Sequence, residues 1–456
     1  MRLKQLKISN FKSLKNICFT PSEFTAIVGA NASGKTNFAK ALSFLSEVYE
    51  IGLERAILNA GGYENIALRK QRRSKAPISF ETVVELDKND LRNYHRERIK
   101  TKSPEKVYVH HKFSLAAVGG GIKADFKVNE EEVLVKDFDN EGNENLILHF
   151  TRDENGKIDL ISLNEEIMKE FERSPLFRVK NPKRNARNSK ENAEFKYQQL
   201  LFDFAEEKIK EQELVLLNFP IEIRYLIRFS ELDSIISLFI FTVARFKVFQ
   251  LSPVLARRSS PPIPNPFLSS TGENLPTMVD SLKRSSSKQW QLVLEKMREV
   301  LPGLIDISTD YIYTRELALF FEEEGVGRPW RAEEVSDGTI LTLALLIAAF
   351  EGRSTLTLFD EIENSLHPWV LRTVVKTLRS VSKIKNVIIT THSPILVDLL
   401  NPDELWIIYR KNGESHLKKL TEIDPEIKAE FEEGKYTLST YLDSGYVGQY
   451  APGGVF

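Results

Sequence analysis

Residues 24–42 read FTAIVGANASGKTNFAKAL, and most of the architecture follows from this stretch. Phe24 to Val28 run apolar into a loop bounded by Gly29 and Gly34. Beyond it Phe38, Ala41, Leu42, Leu45 and Val48 recur at three- and four-residue spacing, which places one apolar face on a helix. The order is therefore strand, loop, helix, and the loop fits G-x-x-x-x-G-K-[ST] through Gly29, Gly34, Lys35 and Thr36. In such a loop, backbone N–H groups and the helix N-terminus enclose phosphates, the lysine neutralises β and γ oxygens, and the hydroxyl reaches Mg²⁺. The candidate nucleotide-binding residues are Asn31, Ala32, Ser33, Gly34, Lys35, Thr36 and Asn37, with Thr36 also a metal ligand. A glycine-rich turn that matches by chance is the competing reading, and the flanking strand and helix argue against it.

Two further stretches carry charge where packing alone would not put it. Residues 355–368 read TLTLFDEIENSLHP, an apolar strand that ends in adjacent carboxylates. Asp360 at the strand end suits a Mg²⁺ ligand, and Glu361 suits the base that orients or deprotonates a water attacking a γ-phosphate. The same pair would also stabilise the N-terminus of a following helix. The strand 386–391, NVIITT, then delivers His392, a γ-phosphate hydrogen-bonding candidate. Adjacent parallel strand ends converge on one crevice, which favours the functional reading of His392 over a satisfied polar residue. Upstream, residues 334–339 read EVSDGT before a long apolar helix. Ser336 or Asp337 suits an ordinary N-cap, and Ser336 with Gly338 also suits a second anion-binding helix start.

The remaining chain sets bounds. Its 456 residues exceed one ordinary core. With 63 Lys+Arg against 64 Asp+Glu, the net charge of −1 supplies no global field toward nucleic acid or membrane. A hydrophobic fraction of 42% excludes wholesale disorder, and the single Cys18 excludes an internal disulfide framework. No targeting segment is expected, and the apolar run 235–244 falls short of a membrane helix, so the cytoplasm is the expected location with no membrane partner.

Short alternating runs from 78 to 160 predict antiparallel strands forming a β lobe. Residues 161–250 read as mainly helical, with 194–217 the most periodic stretch, and 252–276 as a proline-rich linker or re-entry loop. Residues 310–321 read as strand, and strands alternating with helices from 338 onward predict a parallel sheet. The expected division is 1–160, which includes the β lobe, 161–275 as mainly helical insertion and linker, and 276–456 with the later alternating strands and helices.

Taken together, these motifs make the chain resemble the ABC-type ATPases of the SMC, RecF and OLD group, often called AAA-family ATPases. Residues 6–19, LKISNFKSLKNICF, resemble that family's first strand pair, and GANASGKTN its Walker A loop. EVSDGT resembles its signature, LFDEIENSLHP its Walker B with D-loop, and IITTHSP its switch histidine. SSTGENLPTMVDSL, 269–282, resembles a segment preceding the second half. The resemblance implies an α/β fold, an ABC-type P-loop head with a parallel sheet core, an antiparallel β lobe and an inserted helical arm or lid. It implies ATP and Mg²⁺ as cofactors and a homodimer or higher homo-oligomer. In that dimer, Lys35 of one subunit and Ser336 of another clamp one γ-phosphate.

The sequence departs from the family pattern at two positions. Ala32 stands where many members have glycine, and Asp337 replaces the first glycine of the fuller signature, where a carboxylate near the γ-phosphate would slow hydrolysis. Gln71 is the candidate for the family's Q-loop glutamine. OLD-type nucleases continue into a TOPRIM domain, for which the 64 residues after His392 are too few, so no nuclease is expected here.

The expected function is an ATPase controlling a separate nuclease or toxin effector in antiphage defence, similar to stand-alone ATPases of the Septu and PARIS systems. The alternatives are a RecF-like DNA clamp and an ATP-dependent scaffold with negligible turnover. The stretch Arg173 to Lys196, with eight Lys/Arg against two Glu, is the candidate DNA contact, although such runs also serve as solvated loops.

Overall fold

The computed structural model describes residues 1–68, 76–94, 105–119, 125–138, 143–163, 210–217, 231–285, 287–312, 315–364 and 366–444. Gln71 and the basic stretch from Arg173 to Lys196 lie outside the described residues. The chain forms two compact units, Met1–Thr20 with Phe44–Arg245, and Pro21–Ser43 with Phe246–Phe456.

The chain opens with β1 (Arg2–Phe11) and β2 (Leu14–Phe19) in the first unit, then enters the second as β3 (Phe24–Val28). Helix α1 (Lys35–Ile51) follows, its first turns in the second unit and its remainder in the first. The first unit continues with β4 (Ile78–Asp87), β5 (Lys106–Val118), β6 (Asp125–Phe138), β7 (Glu144–Arg152), β8 (Ile158–Leu163) and α2 (Glu231–Ala244). Its strands run in the order β8-β7-β6-β5-β4-β1-β2, each pair antiparallel. β4 buries every second residue, Ile78, Phe80, Thr82, Val84 and Leu86, as a strand with one covered face must. Phe80 meets Phe11, Phe44 and Phe113 at ring separations of 5.5 to 5.6 Å.

One helical expectation is corrected in this unit. The described part of the periodic stretch, residues 210–217, forms turns rather than a helix. Glu131, buried within β6, accepts the backbone N–H groups of Val215 at 2.7 Å and Leu216 at 2.9 Å. Arg152 donates to the carbonyls of Glu213 and Lys210. Backbone groups bound this way are not free for helical pairing, so tertiary hydrogen bonds override the periodicity.

The second unit resumes at β9 (Phe246–Phe249), α3 (Pro253–Ala256), α4 (Leu275–Ser285) and α5 (Ser287–Val300). A small antiparallel sheet follows, made of β10 (Leu304–Tyr311), β11 (Leu317–Glu323) and β12 (Trp330–Arg331). The strand expected over 310–321 is therefore two, because the Ile312 N–H donates to the Glu316 carbonyl at 3.0 Å and β11 pairs antiparallel with β10. Then come α6 (Asp337–Phe350), β13 (Leu356–Phe359), α7 (Pro368–Ser382), β14 (Asn386–Thr391), α8 (Pro394–Val397), β15 (Leu405–Lys411) and β16 (Glu414–Lys419).

The main sheet of this unit runs β16-β15-β3-β14-β13-β9, with β16 antiparallel to β15 and every other pair parallel. β3, β13 and β14 bury every residue, the pattern of parallel strands covered on both faces. Helix α6 is buried from Thr339 to Ala349, so its sequence is apolar all round rather than striped. The fold is thus mixed α/β, with a parallel core and an antiparallel lobe, while most of the expected helical insertion lies outside the described residues. Among the described residues no helix is long and apolar enough to cross a membrane.

Candidate functional site

Parallel order decides where the chemistry gathers. β3, β14, β13 and β9 are neighbours pointing the same way, so the residues that follow them share one edge of the sheet. Those residues are the Gly29–Gly34 loop, His392, the Asp360–Glu361 pair and Gln250.

The loop after β3 is shaped by what lies beneath it. A Cβ on Gly29 would sit 2.2 Å from the Ile408 carbonyl oxygen, and one on Gly34 would sit 2.4 Å from Ser415 Oγ. Gly34 also has φ +122°, open to glycine and strained for other residues. The β15–β16 hairpin thus forms the floor of the loop, and Ser415 Oγ donates to the Ser33 carbonyl at 2.6 Å. Ala32 sits at φ 62°, the left-handed region that a Cβ disfavours.

Lys35 is buried at the first position of α1, and its ammonium donates to the carbonyls of Gly29 at 2.6 Å and Ala30 at 3.2 Å. Burial lowers its pKa, opposed by the charges of Glu361, Asp360 and Glu363. Those three carboxylates therefore lie within electrostatic reach of the lysine. Ser33 Oγ is buried without a hydrogen-bond partner, while Asn31, Ala32 and Thr36 are exposed and Asn37 is half-buried.

Asp360 is held from two sides. Gln250 Nε2 donates to Oδ2 at 2.7 Å, and the Thr390 hydroxyl donates to Oδ1. Glu361 follows at φ 52°, fixed by hydrogen bonds from its N–H to the Thr390 carbonyl at 3.1 Å and hydroxyl at 3.0 Å. Backbone strain of this kind persists where surrounding bonds impose it. Asn364 Nδ2 donates to Glu361 Oε2 at 3.1 Å.

Glu363 organises the switch end of β14. Its Oε1 accepts the Thr391 hydroxyl and the His392 N–H, each at 2.8 Å. The imidazole Nδ1 of His392 lies 3.2 Å from that oxygen and 4.0 Å from Glu361 Oε1, and the ring is part-exposed.

Ser336 and Gly338 are placed differently. Ser336 caps α6, accepting the Thr339 N–H at 3.2 Å, and Gly338 lies in the first turn. Lys35 spends its hydrogen bonds on its own loop, and within one chain no bond joins it to Ser336 or Gly338 among the described residues.

Sequence reasoning misses Gln250 and Glu363. Gln250 follows β9, a four-residue strand separated from the long apolar helix α2 by Arg245 alone. Its legible signal is a glutamine after an apolar, aromatic run, FKVFQ.

The donors present fit a nucleotide with Mg²⁺. Ser33 Oγ is buried without a hydrogen-bond partner, the Lys35 ammonium lies at the loop, and Thr36 and Asp360 offer hard oxygen donors. Among the described residues no group of three or more His, Cys, Asp or Glu side chains gathers to hold a metal alone. A magnesium ion carried on phosphates needs only one or two protein oxygens.

A phosphate loop whose neighbouring strand ends carry an acidic pair and a histidine is the arrangement of the P-loop ATPase class. Residues 24–398 match the AAA_21 family, described as "AAA domain, putative AbiEii toxin, Type IV TA system", and the chain belongs to that family. No curated protein matches the sequence. Among solved structures, the chain is similar to the SmcHead bound to the C-winged helix domain of ScpA, at 14% identity and TM-score 0.47, covering 92% of this chain and 97% of that one. It is similar to the Smc head domain with an extended coiled coil, bound to the C-terminal domain of ScpA, from Pyrococcus furiosus, at 15% identity and TM-score 0.44, covering 95% and 100%. The SMC head domain from Thermotoga maritima gives 13% identity and TM-score 0.37, covering 92% and 99%.

Proposed function

We propose that the chain hydrolyses ATP to ADP and phosphate, that two copies close head to tail around the nucleotide, and that this cycle governs a separate effector. The observation that carries the reading is the convergence of the Lys35 loop, Asp360–Glu361 and His392 on one edge of four parallel strands.

In this reading the N–H groups from Asn31 to Asn37 and the Lys35 ammonium bind the phosphates, the ammonium exchanging its Gly29 and Ala30 carbonyls for β and γ oxygens. Thr36 and Asp360 hold Mg²⁺, which when bound neutralises charge on the phosphate oxygens. Gln250 and Thr390 orient Asp360 for that task. Glu361 positions a water and accepts its proton as the water oxygen bonds to the γ-phosphorus and the bond to the ADP oxygen breaks. His392, steered by Glu363, donates a hydrogen bond to the γ-phosphate. Ser336, exposed, and Gly338, half-buried, meet the nucleotide of the second copy at the start of α6.

The family description names a toxin and a toxin–antitoxin system, which supports an effector-linked role in bacterial defence over DNA clamping. The test uses Glu361→Gln with Mg-ATP. Turnover should fall about hundredfold while ATP stays bound, and light scattering should report a stable dimer. Turnover at the wild-type rate would remove Glu361 from its role. A wild-type protein that binds ATP and never turns it over would leave only the scaffold. Co-purification with the products of neighbouring genes identifies the effector, and recovery of DNA alone would favour the clamp.

A further inference from the structure

The signature stretch carries an oddity, a carboxylate in the first turn of the helix that is to receive a phosphate. Asp337 follows the cap residue Ser336 directly, and an uncompensated negative charge there repels an incoming anion. The structure supplies the compensation from elsewhere. Arg257 Nη2 donates to Asp337 Oδ1 and also to the Val335 carbonyl at 3.3 Å. One guanidinium nitrogen thus reaches both the carboxylate and the backbone just before Ser336.

Arg257 is itself firmly placed. It ends α3, whose cap Ser252 accepts the Leu255 N–H and donates its own backbone N–H to the Thr271 carbonyl at 3.0 Å. Ala256 is fully buried, and a Cβ on Gly272 would lie 3.3 Å from its methyl group. At the other end of the same segment, Gln250 donates to Asp360. One short stretch therefore touches the acidic pair at its start and the signature at its end.

We infer that Arg257 is a positioning residue of the ATPase reaction, which neutralises Asp337 and fixes the Val335–Asp337 turn so that the start of α6 accepts the γ-phosphate held by a second copy. The inference rests on the ATPase reading above. An ion pair with members 23% and 49% exposed contributes little to folding, so its consequence is electrostatic. Asp337 departs from the usual signature without disabling it because its charge is cancelled by a residue 80 positions upstream.

The test compares wild type, Arg257→Ala, Arg257→Lys and the double variant Arg257→Ala/Asp337→Asn. Each is assayed for Mg-ATP turnover against ATP concentration at low and high salt, for binding of a fluorescent ATP analogue, and for melting temperature. Arg257→Ala should lower kcat about tenfold with analogue affinity within about twofold, and added salt should narrow the deficit. Arg257→Lys should keep most of the rate, and the double variant should return to within about threefold of wild type, because the repelling charge is gone. Full-rate turnover by Arg257→Ala overturns the inference and leaves the ATPase reading standing. A double variant as slow as Arg257→Ala also overturns it, since the arginine would then be only a strut. Absence of turnover in wild type would remove the ATPase reading and the inference together.

Discussion

Two buried lysines flank the same parallel sheet, and they serve opposite ends. Lys35 follows β3 where the strands finish, and Lys385 precedes β14 where a strand begins. Both are buried and burial lowers both pKa values, that of Lys385 to about 8. The difference lies in their partners. Lys385 donates to the Ala348 and Glu351 carbonyls and to Ser354 Oγ at 2.6 Å, closing the C-terminus of α6. Lys35 rests on two loop carbonyls and feels three carboxylates. A perturbed ammonium is therefore no sign of function by itself. In the proposed function Lys35 is the binding group and Lys385 the structural cap, and their partners separate them: loop carbonyls beside nearby carboxylates for the one, helix-end acceptors for the other.

Substitution should split the two roles. Lys35→Ala should weaken ATP binding about hundredfold or more, with melting temperature held or raised, as calorimetric titration and a thermal scan would report. Lys385→Ala should leave ATP affinity within about twofold and destabilise the fold by about 2–3 kcal/mol, because helix-end carbonyls lose their donor. Nucleotide loss in the second variant at a temperature where it is folded would dissolve the distinction.

A pH series sharpens the comparison. Lys385 has a folded pKa of about 8 against 10.5 for the free side chain, so between those values the unfolded chain binds more protons. Its unfavourable contribution is fully present below pH 8 and is relieved as pH rises toward 10.5. Denaturant midpoints measured from about pH 7 to 10 should therefore rise for wild type relative to Lys385→Met. A flat difference would mean that the ammonium is already solvated. The smallest effect belongs to Ala32→Gly, which relieves a left-handed alanine and should change stability by no more than about 1 kcal/mol.

The parallel unit is more legible in sequence than the antiparallel one, and the reason is physical. β3, β13 and β14 announce themselves as short, mainly apolar and β-branched runs, with threonine the polar residue inside them, that lead into Gly29, Asp360 and His392, because a strand covered on both faces favours apolar and β-branched side chains along its length. Their order then places Lys35, Asp360, Glu361 and His392 on one edge without further information. Gln250 escapes because β9 has four residues and no glycine or proline separates it from α2. Residues 210–217 escape because their turns depend on Glu131 and Arg152, distant in sequence. Periodicity reports local preference and is silent about such bonds.

The floor beneath Gly29 and Gly34 has a consequence for synthesis. Ser415 meets Ser33 across 382 residues of sequence, so a ribosome delivers the phosphate loop long before the hairpin on which it rests. A nascent chain holds the lysine and the glycines early, yet their mould arrives only after the acidic pair, the histidine and the signature helix have left the tunnel.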